Sequence, residues 1–142
     1  MLDSATDNNT VKNAVEDSAA DVSKQKNAID IELKAKDGWT EEQIAQAEEK
    51  LRILSEANTV KTKVDRQGTS ASRRYKSANG NDSVPVGYDV DHTIDLQLGG
   101  EDNVSNMNPL DRSVNRSLGA QIHNAIKGYD DGTVFGNFTL IK

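Results

Sequence analysis

An α+β fold is predicted by three features. Apolar residues recur at helical spacing in the first sixty positions, β-formers alternate just before Asp91, and a third helical stripe runs Val114, Leu118, Ile122, Ile126. With 142 residues the chain is long enough for one ordinary domain and a small helical appendage. It contains no cysteine. Disulfides, thiolate zinc centres and a cysteine nucleophile are thereby excluded, and any metal must be held by oxygen or imidazole. No apolar run approaches the roughly 20 residues of a membrane span, and Met1 opens a polar stretch rather than a signal peptide, so no membrane segment is expected.

The net charge of −6 is unevenly spread: residues 1–60 carry seven Lys/Arg against thirteen Asp/Glu, and residues 61–142 carry ten of each. An acidic average argues against tight nucleic-acid binding, but the acid lies in the first part. The division expected is a helical segment over residues 1–58, a hairpin of two helices, followed by a second unit over residues 59–142.

The first ten residues lack a hydrophobic period and are expected to fray. Val11, Val15, Ser18, Val22, Ile29 and Leu33 then follow helical spacing, which predicts one thin-striped helix ending near Gly38. The second helix is better marked. Thr40 and Gln43 form a capping box, Trp39 and Ile44 a hydrophobic staple, and Ile44, Ala47, Leu51 and Leu54 one apolar face. Structural packing is the simplest role for both.

Charge reverses between Val60 and Lys76, where Lys61, Lys63, Arg66, Arg73, Arg74 and Lys76 face only Asp65. SASRRYKSA reads as a short helix, and Arg73 and Arg74 are either solvated or candidate phosphate contacts. After a turn-rich loop, Val86 to His92 reads as a strand with Asp89 and Asp91 on one face. Met107 to Leu110 is expected as a second strand, Asp111 as the cap of a helix reaching about Lys127, and the tail as one or two strands.

Chemistry concentrates in VDHTIDLQLGGEDNVSNMNPLDRSVNRSLGAQ, residues 90–121. Asp91 and His92 end a strand, Gly99-Gly100 follow in a loop, Asn106 comes fourteen positions after His92, and Asn115 nine positions after that on a helix. A carboxylate and an amide oxygen are hard donors suited to Mg²⁺ or Mn²⁺, and a neutral imidazole takes a proton from water near neutral pH.

In order and spacing these residues resemble the HNH endonucleases, whose strand, strand, helix and metal unit is called ββα-metal. The resemblance covers about Tyr88 to Gly119. It implies that Asp91 and Asn115 are metal ligands, His92 the general base, and Asn106 the residue that fixes the His92 loop. Adjacent strand residues point to opposite faces, so a twist or bulge at Asp91-His92 is expected if both serve one site. Gly99 and Gly100 are expected to let the loop turn and to admit a nucleic-acid backbone. Arg112 and Arg116 are further phosphate candidates.

Some family members carry cysteine pairs or helix histidines; here those positions hold Asp111, Val114, Asn115 and Gly119, so a weakly held Mg²⁺ is expected rather than zinc. His123, rotated about 80° from Asn115 on a helix, is expected at the surface.

DLQLGG with NMNPLDRSVNRSLG is also similar to nuclease domains at the C-termini of bacterial polymorphic toxins of the Rhs and contact-dependent kinds. That implies a low-specificity DNase effector acting in a target-cell cytoplasm, with an upstream carrier and a cognate immunity protein. The alternatives are a ribonuclease of the same type, or a non-catalytic nucleic-acid-binding or interaction module with a structural metal loop.

Overall fold

The computed structural model describes residues 27–64 and 68–142. The expected fraying start, the helix over Val11 to Val22, and Asp65 and Arg66 lie outside them. Within them the chain is a mixed α+β structure: β1 (Ile29–Lys34), α1 (Glu41–Glu56), α2 (Ala71–Asn79), β2 (Tyr88–His92), β3 (Met107–Asp111), α3 (Arg112–Ile126) and β4 (Phe135–Ile141).

The first correction concerns β1. Ile29 and Leu33 were expected on a helix, since a four-residue step fits one. They lie on a strand that pairs in parallel with β4, Ile31 opposite Phe138 and Leu33 opposite Leu140. A step of four satisfies a period of two as well, and IDIELK alternates throughout. Ile31 and Leu33 are buried while Glu32 and Lys34 are exposed. A parallel pair needs a long crossover; here everything from α1 to α3 lies between the two strands.

One hydrophobic cluster joins these elements, drawing Leu33 from β1, Leu51 and Leu54 from α1, Leu118 and Ile122 from α3, and Phe135 from β4. The expected boundary at residues 58 and 59 therefore falls between elements that share a core. Each fully buried side chain of this size contributes about 1.5–3 kcal/mol.

Helix α1 starts where the capping signals put it. The Thr40 hydroxyl accepts from Gln43 N, and the Gln43 side chain accepts from Thr40 N. Its inner face is partly polar: Gln43 Nε2 donates to Asp111 Oδ1, Gln46 bonds both Tyr88 Oη and Asp111 N, and Lys50 reaches the end of β2. Successive turns of α1 thus grip the antiparallel pair of β2 and β3.

That pair runs in unbroken register from Tyr88 opposite Asp111 to His92 opposite Met107, so of the twist or bulge expected at Asp91-His92 there is no bulge. Asp111 then caps α3, its Oδ1 accepting from Val114 N, and Val114, Leu118, Ile122 and Ile126 are buried at four-residue steps. No helix among the described residues is long and apolar enough to cross a membrane.

Candidate active site

Strand β2, the loop that follows it and α3 enclose a cleft of about 500 Å³, bordered by Asp91, His92, Asp95, Asn115, Arg116 and His123. Asp91 and His92 are neighbours on a regular strand and still face this one cleft. His92 is the last strand residue, where the chain turns out of the sheet, and no bulge is needed. His123 is exposed, as expected, but it also borders the cleft, with Nδ1 3.3 Å from Gln97 Oε1. An 80° rotation from Asn115 still leaves the two residues within one broad helix face.

His92 is held at one ring nitrogen. Its Nε2 lies 2.8 Å from Asp102 Oδ1, and both side chains are nearly buried. A carboxylate accepts only, so Nε2 is the donor in this contact, and in the neutral ring the lone pair is then on Nδ1. Asp102 is fixed in turn by Arg74, whose guanidinium donates to Asp102 Oδ1 at 2.6 Å and to Asp102 O at 2.8 Å. Arg74, expected as a phosphate contact, thus braces the partner of His92, while Arg73 is exposed on the same helix.

Asp91 meets a cation from α1. Lys50 Nζ lies 2.7 Å from Asp91 Oδ2 and donates to the carbonyl oxygens of His92 and Thr93 at 2.7 and 3.1 Å. It also sits 2.7 Å from Asp95 Oδ1, an ion pair made without hydrogen-bond alignment. Only 6% of the Lys50 side chain is exposed. Burial by itself pushes this ammonium down, but Asp95 and Asp91 outweigh it and hold it above the ordinary lysine value. Burial pushes the Asp91 carboxyl up, with Asp95 reinforcing that effect and Lys50 opposing it.

Asn115 is oriented by Asp89. Its Nδ2 donates to Asp89 Oδ2 at 3.0 Å, which fixes the amide with the nitrogen toward Asp89 and the oxygen on the other side. The same carboxylate receives Arg112 Nε at 3.1 Å and Arg116 Nε at 3.2 Å. Desolvation raises Asp89, and the bonds from Asn115, Arg112 and Arg116 more than reverse it, leaving the carboxyl below its ordinary value.

The loop between His92 and β3 is closed by Asn106, whose side chain accepts from Ile94 N and donates to the carbonyl oxygens of Ile94 and Glu101. Gly100 packs into this closure. A Cβ there would lie 1.8 Å from Ile94 O and 2.8 Å from Asn106 Nδ2. Its hydrogen atom is thus required by the protein's own loop, whereas the expectation had been room for a nucleic acid. Gly99 takes a positive φ of 93° to end the short turn Leu96–Leu98.

Carboxylate and amide oxygens are hard donors of the kind Mg²⁺ accepts, and here Asp91 Oδ2 is also bonded to the Lys50 ammonium. Asp91 and Asn115 border one cleft, and the Asn115 amide is turned so that its oxygen is the atom not given to Asp89. Among the described residues no three His, Cys, Asp or Glu side chains converge as a metal-holding group, and two oxygen donors are too few for closed zinc. Sequence reasoning did not single out Lys50, Asp89, Asp95 or Asp102. The chain matches no family model, no curated protein and no solved structure.

Proposed function

We propose that the chain is a metal-dependent DNA endonuclease of the HNH type, with β2, β3 and α3 as its ββα-metal unit. The reading is carried by one observation: an imidazole whose proton is fixed on Nε2 by Asp102 borders a cleft shared with a carboxylate, Asp91, and an oriented amide, Asn115.

In this reading His92 Nδ1 takes a proton from a water as its oxygen attacks phosphorus, the bond from phosphorus to the leaving sugar oxygen breaks, and solvent protonates that oxygen. Asp102 holds the ring and stabilises the imidazolium formed. Asp91 and Asn115 would hold Mg²⁺ or Mn²⁺. When bound, such an ion supplies charge neutralisation at the phosphate and stabilisation of the leaving oxygen. Arg116 borders the same cleft and offers a guanidinium to a non-bridging phosphate oxygen.

The even charge balance of residues 61–142, ten Lys/Arg against ten Asp/Glu, supports weak sequence preference. The similarity of residues 95–119 to polymorphic-toxin nucleases supports an antibacterial effector domain, delivered by an upstream carrier into a target cell and neutralised by an immunity protein.

The test is conversion of supercoiled plasmid by the wild type and by His92→Ala, each with Mg²⁺ and with EDTA. Metal-dependent loss of supercoiled DNA by the wild type alone is expected. Intact DNA beside a degraded RNA control would move the substrate to RNA. Cleavage of neither would leave a binding module.

A further inference from the structure

We propose that a second cleft, beyond Arg116 from His92, is the track that holds the flanking phosphate backbone of a polynucleotide, with Lys34 and Lys36 as its far contacts. The identity of the ligand rests on the nuclease reading; the track itself rests on separate observations.

This cleft is larger, about 830 Å³, and runs between the exit of β1, the start of α1 and the first turns of α3. Among the described residues Lys34, Lys36, Arg112 and Arg116 border it, against one carboxylate, Asp111. Asp111 is already committed, since its Oδ1 accepts from Val114 N and from Gln43 Nε2. Arg116 borders both clefts, so the two meet at that side chain. A chain bound with one phosphate at His92 passes Arg116 and continues directly into the basic channel.

The two arginines are prepared for such a ligand. Asp89 takes each at Nε, and the Arg112 and Arg116 side chains are 51% and 70% exposed, so their terminal amino groups are presented to solvent. This leaves each planar fork pre-oriented for phosphate oxygens. Lys34 ends β1 and Lys36 lies two residues on, where its carbonyl accepts from Trp39 N; both lysines are exposed and border this cleft. Among the described residues neither makes an ion pair. Four cations along an open channel in a chain of net charge −6 mark a local surface for a polyanion; they do not reflect a basic protein overall.

The experiment measures binding of a fluorescein-labelled DNA duplex by anisotropy, using the full chain carrying His92→Ala so that cleavage does not intervene, over about 50 to 200 mM salt. Adding Lys34→Ala and Lys36→Ala should weaken binding at least tenfold at the low-salt end and reduce the slope of log affinity against log salt by about 2, as expected for two lost phosphate contacts. Lys34→Arg with Lys36→Arg should keep both affinity and slope. Arg52→Ala with Lys127→Ala removes the same charge at two exposed positions that border neither cleft and should leave the slope in place.

Equal losses from the two alanine pairs, or an unchanged slope in the Lys34 and Lys36 pair, would overturn the track. So would Lys34- and Lys36-dependent binding of polyglutamate with none of DNA, which would make the channel a dock for an acidic protein. The two readings fail separately. DNA binding with the predicted slope in a protein whose wild type cuts nothing would keep the track and sink the nuclease. Plasmid cutting with an unaffected slope would do the reverse.

Discussion

Asp102 Oδ1 stands 2.8 Å from His92 Nε2, and the Arg74 guanidinium donates to the same oxygen at 2.6 Å. The chain of three groups sets which ring nitrogen of His92 bears a proton. Replacing Asp102 by alanine removes the acceptor, frees the ring to change tautomer and leaves Arg74 beside an empty place. In the nuclease reading DNA cleavage by Asp102→Ala should fall by roughly 100-fold, toward the factor of about 10²–10⁴ that a general base supplies, with kcat affected more than KM. Long-range ¹⁵N NMR of the imidazole gives a readout independent of activity. Nε2 should be the protonated nitrogen in the wild type, and a mixture should appear in the variant. An unchanged tautomer would remove Asp102 from this role.

Asp89 joins two functions in one carboxylate, since it orients the Asn115 amide and seats Arg112 and Arg116. Asp89→Ala should therefore weaken both metal and DNA binding. Loss of a residue that orients a ligand typically costs 10–100-fold in metal affinity, and Mg²⁺ titration of cleavage would show it as a higher metal requirement. An Asn115→Ala variant should show the metal defect and keep the salt dependence of DNA binding. If Asp89→Ala matched Asn115→Ala in both measurements, the arginine seat would be unimportant.

What could be read from the sequence follows from the range of the interactions. Capping, helical stripes and strand alternation act over a few residues, so α1, α2, β2, β3 and α3 were each legible within a residue or two. For β1 the four-residue step from Ile29 to Leu33 suited either period, and only its partner, β4, more than a hundred residues later, decides between them. Asp91, His92, Asn115 and Arg116, which border the cleft, stood out by order and spacing, whereas Asp95 beside them did not. Nor did the groups that brace them. Asp102 looks like any acid in a polar loop until the fold carries it to His92, and Asp89 until α3 packs beside β2. Lys50 did leave a signal, because with Ala47, Leu51 and Leu54 it falls on the apolar stripe of α1, where a charge needs buried partners.

Those partners make Lys50 a stability determinant. The ammonium is nearly fully buried between Asp91 and Asp95 and satisfies two carbonyl oxygens at the end of β2. Lys50→Met keeps an unbranched side chain, one atom shorter, but leaves two buried carboxylates without a counter-charge. Breaking a buried ion pair from one side costs about 3–5 kcal/mol, and urea denaturation should show a loss of that order. Glu49→Gln, one residue earlier and exposed, removes a surface pair with Arg52 and should leave stability almost unchanged. Similar small effects from both would mean that solvent reaches the Lys50 cluster.

Gly100 tests whether the loop is fixed for the sake of the site. A methyl group there would meet Ile94 O at 1.8 Å, a backbone atom that cannot rotate away, and would also crowd the Asn106 amide that closes the loop. The loop must then move as a unit, and it carries Asp102 as well as Asp95. Gly100→Ala should cost about 1–3 kcal/mol as overpacking and should also reduce cleavage by displacing Asp102 from His92. The NMR readout separates the two effects. If the wild-type tautomer of His92 persists in a Gly100→Ala protein that has lost stability, the loop tolerates the shift without disturbing the imidazole, and the coupling between the glycine turn and His92 is absent. If the tautomer changes along with stability, the tight packing at Gly100 is part of what holds the base in place.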